Sequence, residues 1–172
     1  MVKKMIDDRR IIIDTRERKP FKILNSIKKT LHTGDYSIEF YDTEVSVERK
    51  SIGDAIGSVT SGRKRFEKEW IRAKTELQRF FVVIEGTPDM ITKEIVKLGT
   101  KLKKKRIKYN VKRTIGTVVN TYLSWSVKYD VPVYFCKNIA EARYITVKLL
   151  NKYVDYREAD CLFSKKRELK EK

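Results

Sequence analysis

Two short stretches hold the residues best equipped for chemistry. "GDYSIEF" places Asp35 directly after a glycine, and "EVSVERKSIGD" follows with Glu48, Arg49, Lys50 and Asp54. Both are rich in β-branched and aromatic residues, so they read as strands over about 35–41 and 44–50, joined as a hairpin at Asp42-Thr43. Side chains alternate faces along a strand. Val45, Val47 and Arg49 therefore point one way, and Ser46, Glu48 and Lys50 the other. Glu48 and Lys50 share a face beside the strand that begins at Asp35, which brings two carboxylates and an ammonium together.

That set suits phosphoryl chemistry. Paired carboxylates offer hard oxygen ligands to Mg²⁺ or Mn²⁺. Such a metal polarises a phosphoryl oxygen and lowers the pKa of a bound water. A neighbouring lysine can orient that water and stabilise charge building on phosphorus. An Asp followed by Glu-x-Lys also occurs in ordinary solvated hairpins, so the pattern gains its force from what surrounds it.

The elements that must position these groups alternate between strand and helix. "RIIID" (10–14) reads as a short buried strand ending at Asp14. Pro20 suits the first turn of a helix running to Lys29. Ser51-Ile52-Gly53-Asp54 has the form of a capping box, so a helix to about Val59 is expected, with Asp54 capping it. A charged amphipathic helix over 63–78 comes next. "RFFVVIEG" (79–86) is continuous enough for a central strand, and Pro88 opens a helix to about Leu98. A helix over 112–128, a strand over 131–136 and a helix over 138–154 capped by Asn138 complete the pattern. The order is that of an α/β domain with a central mixed β-sheet flanked by helices. Residues 1–154 are expected to form the domain and residues 155–172 a charged C-terminal tail.

Beyond the two stretches, the longer string "IIIDTRE … GDY … VERKSIGD" resembles the nuclease domain of the XPF family of structure-specific endonucleases, a PD-(D/E)xK-like group. The family's Glu-Arg-Lys-x-x-x-Asp signature falls on Glu48, Arg49, Lys50 and Asp54. Its Asp-x-Arg-Glu falls on Asp14, Arg16 and Glu17, and its Gly-Asp-Tyr on Gly34, Asp35 and Tyr36. The resemblance covers roughly residues 10–153. It implies a restriction-endonuclease-like nuclease fold and a metal-dependent endonuclease acting on branched, flap or fork DNA. The implied metal ligands are Asp35 and Glu48, with Asp14, Glu17, Arg49, Lys50 and Asp54 completing the catalytic set. It also implies a homodimer or heterodimer, with DNA repair or recombination as the setting. The alternative within the family is a non-catalytic, DNA-binding scaffold subunit, but such members lose the carboxylates and lysine that this chain retains. Members often carry Gly-Arg and then a Gln. Gly62 and Arg63 match, while the counted position holds Glu67, and a second alignment uses Arg65-Phe66 with Glu69. The family's C-terminal helix-hairpin-helix pair and helicase portion find no counterpart, so a stand-alone nuclease domain is expected.

Composition points to the same partner. The formal net charge of +17 over 172 residues attracts polyanions, nucleic acid foremost. The stretch 99–113 holds eight Lys or Arg and no acid. Lys101, Lys103, Lys104, Lys105, Arg106, Lys108, Lys112 and Arg113 are expected phosphate contacts, with Arg16 and Arg63 beside them. Tyr109 could stack on an unpaired base. The single histidine, His32, nearly excludes His-based nucleophilic or zinc sites. Cys136 and Cys161 have neither metal-ligand spacing nor a disulfide framework, which fits a cytoplasmic setting. No apolar run approaches a membrane span, and no phosphate-binding GxxxxGK[ST] loop is present.

Overall fold

The computed structural model describes residues 9–104 and 110–168. Six strands form one sheet in the order β2-β1-β3-β4-β5-β6. They are β1 (Ile11–Ile13), β2 (Ser26–Lys28), β3 (Tyr36–Ile38), β4 (Val45–Ser51), β5 (Arg79–Glu85) and β6 (Val133–Phe135). Strand β3 runs antiparallel to both β1 and β4, whereas β1/β2, β4/β5 and β5/β6 are parallel pairs. Parallel neighbours need crossover connections. Helices α1 (Ile52–Val59) and α2 (Arg63–Glu76) bridge β4 to β5, and α3 (Pro88–Lys104) and α4 (Val111–Tyr129) bridge β5 to β6. Helix α5 (Ile139–Glu168) closes the described chain. This is the expected mixed sheet flanked by helices.

The sheet separates two apolar clusters, and residues of β5 divide between them by alternation. Val82 and Ile84 join α1–α4 on one face, where Trp70, Tyr122, Ile91 and Ile95 are fully buried. Val83 joins β1, β3, β4 and α5 on the other, with Val45, Val47 and Leu150. Coverage on both faces explains the near-continuous apolar run of β5.

Helix boundaries follow local chemistry. The Ser51 hydroxyl accepts the Asp54 N–H (3.2 Å) and donates to the Asp54 carboxylate (2.6 Å), so the capping box expected for α1 is present. Asn110 caps α4 by accepting from Arg113 N–H, and Asn138 accepts from Glu141 N–H at the start of α5.

Three expectations change. The helix expected over 20–29 does not form: the segment runs extended into β2, parallel to β1. Phe21, Ile23 and Ile27 recur with a period of two, and Phe21 is buried with its N–H donated to the Tyr36 hydroxyl (2.8 Å). Those contacts outweigh the start signal at Pro20. Helix α3 runs on to Lys104 through Gly99, because lysine and leucine are good helix formers that offset one glycine. Helix α5 likewise continues beyond 154, where Arg9 pairs with Asp155 and Glu158 and Arg157 pairs with Glu44.

Candidate active site

The chemistry-bearing residues gather at the end of β4 nearest α1, in a cleft of about 500 Å³. Antiparallel pairing of Tyr36 with Val47 puts Asp35 opposite Glu48, and the Asp35 N–H donates to the Val47 carbonyl (2.9 Å). The Asp35 carboxylate accepts the backbone N–H of Arg49 (2.8 Å). The turn into Asp35 requires glycine. Gly34 has φ +84°, and a Cβ there would meet the Ser46 hydroxyl at 2.0 Å.

Alternation along β4 works as the sequence pattern predicts. Lys50 sits on the α1–α4 face with its ammonium 2.5 Å from Glu48 Oε1 and 4.5 Å from the centre of the Phe66 ring. Arg49 sits on the opposite face, 4.8 Å over the Phe21 ring. Its guanidinium donates to Glu85 (2.7 Å), to the Lys19 carbonyl (2.6 Å) and, at 3.4 Å, to Glu17. Arg49 thus ties the loop after β1 to the end of β5.

Electrostatics divide the acids. Burial, then the charge of Glu48, pushes the Asp35 carboxyl up to about 8. Burial likewise raises Glu48 against the opposing pull of Lys50, with Glu69 and Glu17 adding repulsion. Lys50 is raised: burial alone would lower it, but the charge and hydrogen bond of Glu48, with the charge of Asp35, outweigh burial. Asp14 moves down. Its burial would raise it, yet its oxygens accept from the Arg16 side chain (2.8 and 3.0 Å), Arg16 N–H (2.8 Å) and Leu31 N–H (2.7 Å).

Asp14, Arg16, Glu17, Asp35, Glu48, Arg49, Lys50 and Asp54 all line this cleft. Arg63 does not: it donates to the Thr121 hydroxyl (2.7 Å) and lies 5.1 Å over Trp125. Arg65 and Arg72 line the cleft from α2 in its place. The choice between Glu67 and Glu69 also resolves. Glu67 accepts from the Tyr129 hydroxyl and Lys128, whereas Glu69 faces the cleft. Arg18 and Lys19 complete the cationic rim. Lys101, Lys103, Lys112 and Arg113 are exposed at the adjoining ends of α3 and α4, away from the cleft lining. The Lys104 side chain, together with Lys105, Arg106, Lys108 and Tyr109, lies outside the described residues.

Among the described residues, no three His, Cys, Asp or Glu side chains are gathered as a ready-made metal cage. No described helix is long and apolar enough to cross a membrane.

With this geometry in hand, the comparisons fix the class. A family model described as the ERCC4 domain matches residues 6–149, and the chain belongs to that family. XPF from Aeropyrum pernix shares the fold at 18% identity and a TM-score of 0.59, over 84% of this chain and 61% of that one. A structure of XPF from Aeropyrum pernix in complex with DNA gives 18% identity and a TM-score of 0.57, over 86% and 66%. The chain thus spans less than two thirds of either matched chain. No curated protein matches it. The restriction-endonuclease-like fold and the resemblance to the XPF family are borne out, and the family places the chain among nuclease-related proteins.

Proposed function

We propose that this protein is a metal-dependent endonuclease that hydrolyses phosphodiester bonds in branched or flapped DNA. The observation that carries this reading is the placement of Asp35 beside Glu48, next to the Tyr36–Val47 pair of β3 and β4, with Lys50 bonded to Glu48 inside a cation-rimmed cleft. The two largely buried acids share a single ammonium, and both are pushed up by burial; their oxygen donors fit Mg²⁺ or Mn²⁺. A bound divalent ion would supply Lewis acidity toward a phosphoryl oxygen and a more acidic water. Asp35 and Glu48 would hold it.

The protein's own groups do the rest. The Lys50 ammonium stands ready to stabilise charge that grows on phosphorus. Arg18, Lys19, Arg65 and Arg72 face the polyanion from both sides of the cleft. Lys101, Lys103, Lys112 and Arg113 offer further phosphate contacts outside it, which fits a substrate longer than the cleft. The complex of the Aeropyrum XPF with DNA supports the choice of polymer. Dimerisation, as in the family, would add a second DNA-contacting surface.

The test is cleavage of a labelled panel of flap, fork, Holliday-junction and duplex DNAs with Mg²⁺, with Mn²⁺ and with chelator. Metal-dependent cutting that favours a branched member is expected. Tight binding to the panel without cutting under any condition would replace this reading with that of a scaffold subunit.

A further inference from the structure

Lys50 has a long, freely rotating stem and a compact ammonium with three equivalent donors. Its hydrogen bond to Glu48 is a contact at one point, and rotation about that point would sweep the charge through the cleft. A second contact fixes it. The ammonium lies 4.5 Å from the centroid of Phe66, and only 14% of the lysine side chain is exposed. The face of an aromatic ring is electronegative and attracts a cation most strongly where water is excluded.

Phe66 is itself held rigidly. It is 2% exposed on α2, with ring centroids of Trp70, Trp125 and Tyr122 at 5.8, 5.9 and 6.0 Å. These aromatic neighbours leave the ring turned toward the cleft, which Phe66 also lines. An aliphatic residue of similar volume would fill the same space in the core but would offer the ammonium no negative face.

We propose that Phe66 is a positioning residue for Lys50, its ring holding the ammonium beside Glu48 and facing the cleft. This rests on the nuclease reading for its catalytic consequence, but the contact itself can be tested without it. In this role α2 does more than pack against β5: the helix carries the aromatic support that places a charge on β4.

The experiment uses the full chain labelled with ¹³C-lysine, free of metal and DNA, with Lys50 assigned by Lys50→Arg. The methylene protons next to the Lys50 ammonium should resonate upfield of the other lysines, shifted by the Phe66 ring current. Phe66→Met should abolish that shift, and Phe66→Tyr, which keeps the ring, should retain it. In cleavage assays Phe66→Met should lower kcat about three- to tenfold with KM for DNA unchanged, and Phe66→Tyr should recover most of the loss. Ile95→Ala, in the same apolar cluster on α3 but outside the cleft, controls for lost stability and should keep both the shift and kcat.

An unshifted Lys50 in the wild type would overturn the contact, and that outcome stands even where Phe66→Met fails to fold. A lost shift with wild-type kcat, or equal losses in Phe66→Met and Ile95→Ala, would reduce Phe66 to a core residue. A wild type that cuts no DNA would sink the nuclease reading, while the ring-current shift would still decide the contact.

Discussion

Asp14 and Asp35 are neighbours, with the Asp14 N–H donating to the Asp35 carbonyl (2.8 Å), yet their carboxylates occupy opposite electrostatic settings. Asp14 is 2% exposed and saturated with donors, four of them from Arg16 and Leu31. Asp35 accepts the Arg49 N–H and faces the charges of Glu48 and Glu17, which the pull of Lys50 only partly offsets. Burial raises the pKa of both. Hydrogen bonds reverse the effect at Asp14 and fail to do so at Asp35. One carboxylate is spent on structure, and the other is left short of positive charge. The sequence motif names both, and on the proposed reading it is the second, with fewer donors, that would take a cation.

The largest effect should come from removing the second kind. Asp35→Asn or Glu48→Gln should lower cleavage by about 10² to 10³-fold or more, while DNA binding holds or improves because negative charge leaves the phosphate path. The metal-free fold of Asp35→Asn should be at least as stable as wild type near pH 8, since the change relieves the repulsion with Glu48, whereas Glu48→Gln also takes from the buried Lys50 its ion-pair partner and should melt lower. Single-turnover cleavage and thermal melts check this, and wild-type cutting by either variant would dissolve the distinction.

Asp14→Asn should reverse the balance. The amide turns an N–H toward either Arg16 or the Leu31 N–H, so donor meets donor. A loss of about 2–3 kcal/mol in urea unfolding is expected, with cleavage by the folded fraction reduced far less than in Asp35→Asn. Full stability with lost cleavage would show that Asp14 belongs with Asp35.

The two acids should also respond oppositely to pH. Asp35 holds its proton in the fold above the unfolded value of 3.8, up to about 8. Between those limits the unfolded chain has released a proton that the native state keeps, so stability falls as pH rises. The metal-free melting temperature should drop by several degrees from pH 5 to 8 on this account. Asp35→Asn should flatten the drop, and Mg²⁺ should oppose it. For Asp14 the sign is the other way: its contribution is present above the unfolded value and is lost as pH falls through the lowered native one. Melts across pH in wild type and the two variants separate these limbs.

Much of this site could be read from the chain. Alternation in "EVSVERK" set Glu48 and Lys50 on one face and Arg49 on the other, and the hairpin set Asp35 opposite. Those are local, period-two relations that a strand enforces. Arg65, Phe66, Glu69 and Arg72 were harder, because they act from α2 and their direction depends on how that helix packs. The clue was present: Phe66, Trp70 and Ala73 mark its buried stripe, and Glu69, three residues after Phe66, flanks it, whereas Glu67 turns away toward Tyr129. The place of Arg63 outside the cleft lining was hidden for the same reason, since its partners Thr121 and Trp125 come from a distant helix. The 20–29 segment misled because Pro20 is a local signal, while the pull of β1 and Tyr36 is tertiary.

The smallest effect tests what keeps Asp14 low. The Arg16 fork gives two bonds to the carboxylate and one to the Leu31 carbonyl (2.6 Å), yet 66% of the arginine side chain is exposed. Arg16→Lys keeps the charge but cannot reproduce the fork. Solvent screening of so open a pair limits the loss to about 0.5–1 kcal/mol. The Leu31 N–H remains in place, so Asp14 should stay low and the acid limb of stability should move only slightly toward neutral pH. Cleavage at saturating DNA should stay close to wild type, because Asp35, Glu48 and Lys50 are untouched. Acid titration of the melting temperature and kcat measured on the same preparation check both halves. A fall in kcat as deep as that of Asp35→Asn would mean that the exposed guanidinium meets the substrate, and the boundary between the structural acid and the chemical one would then have to be redrawn to include its partner.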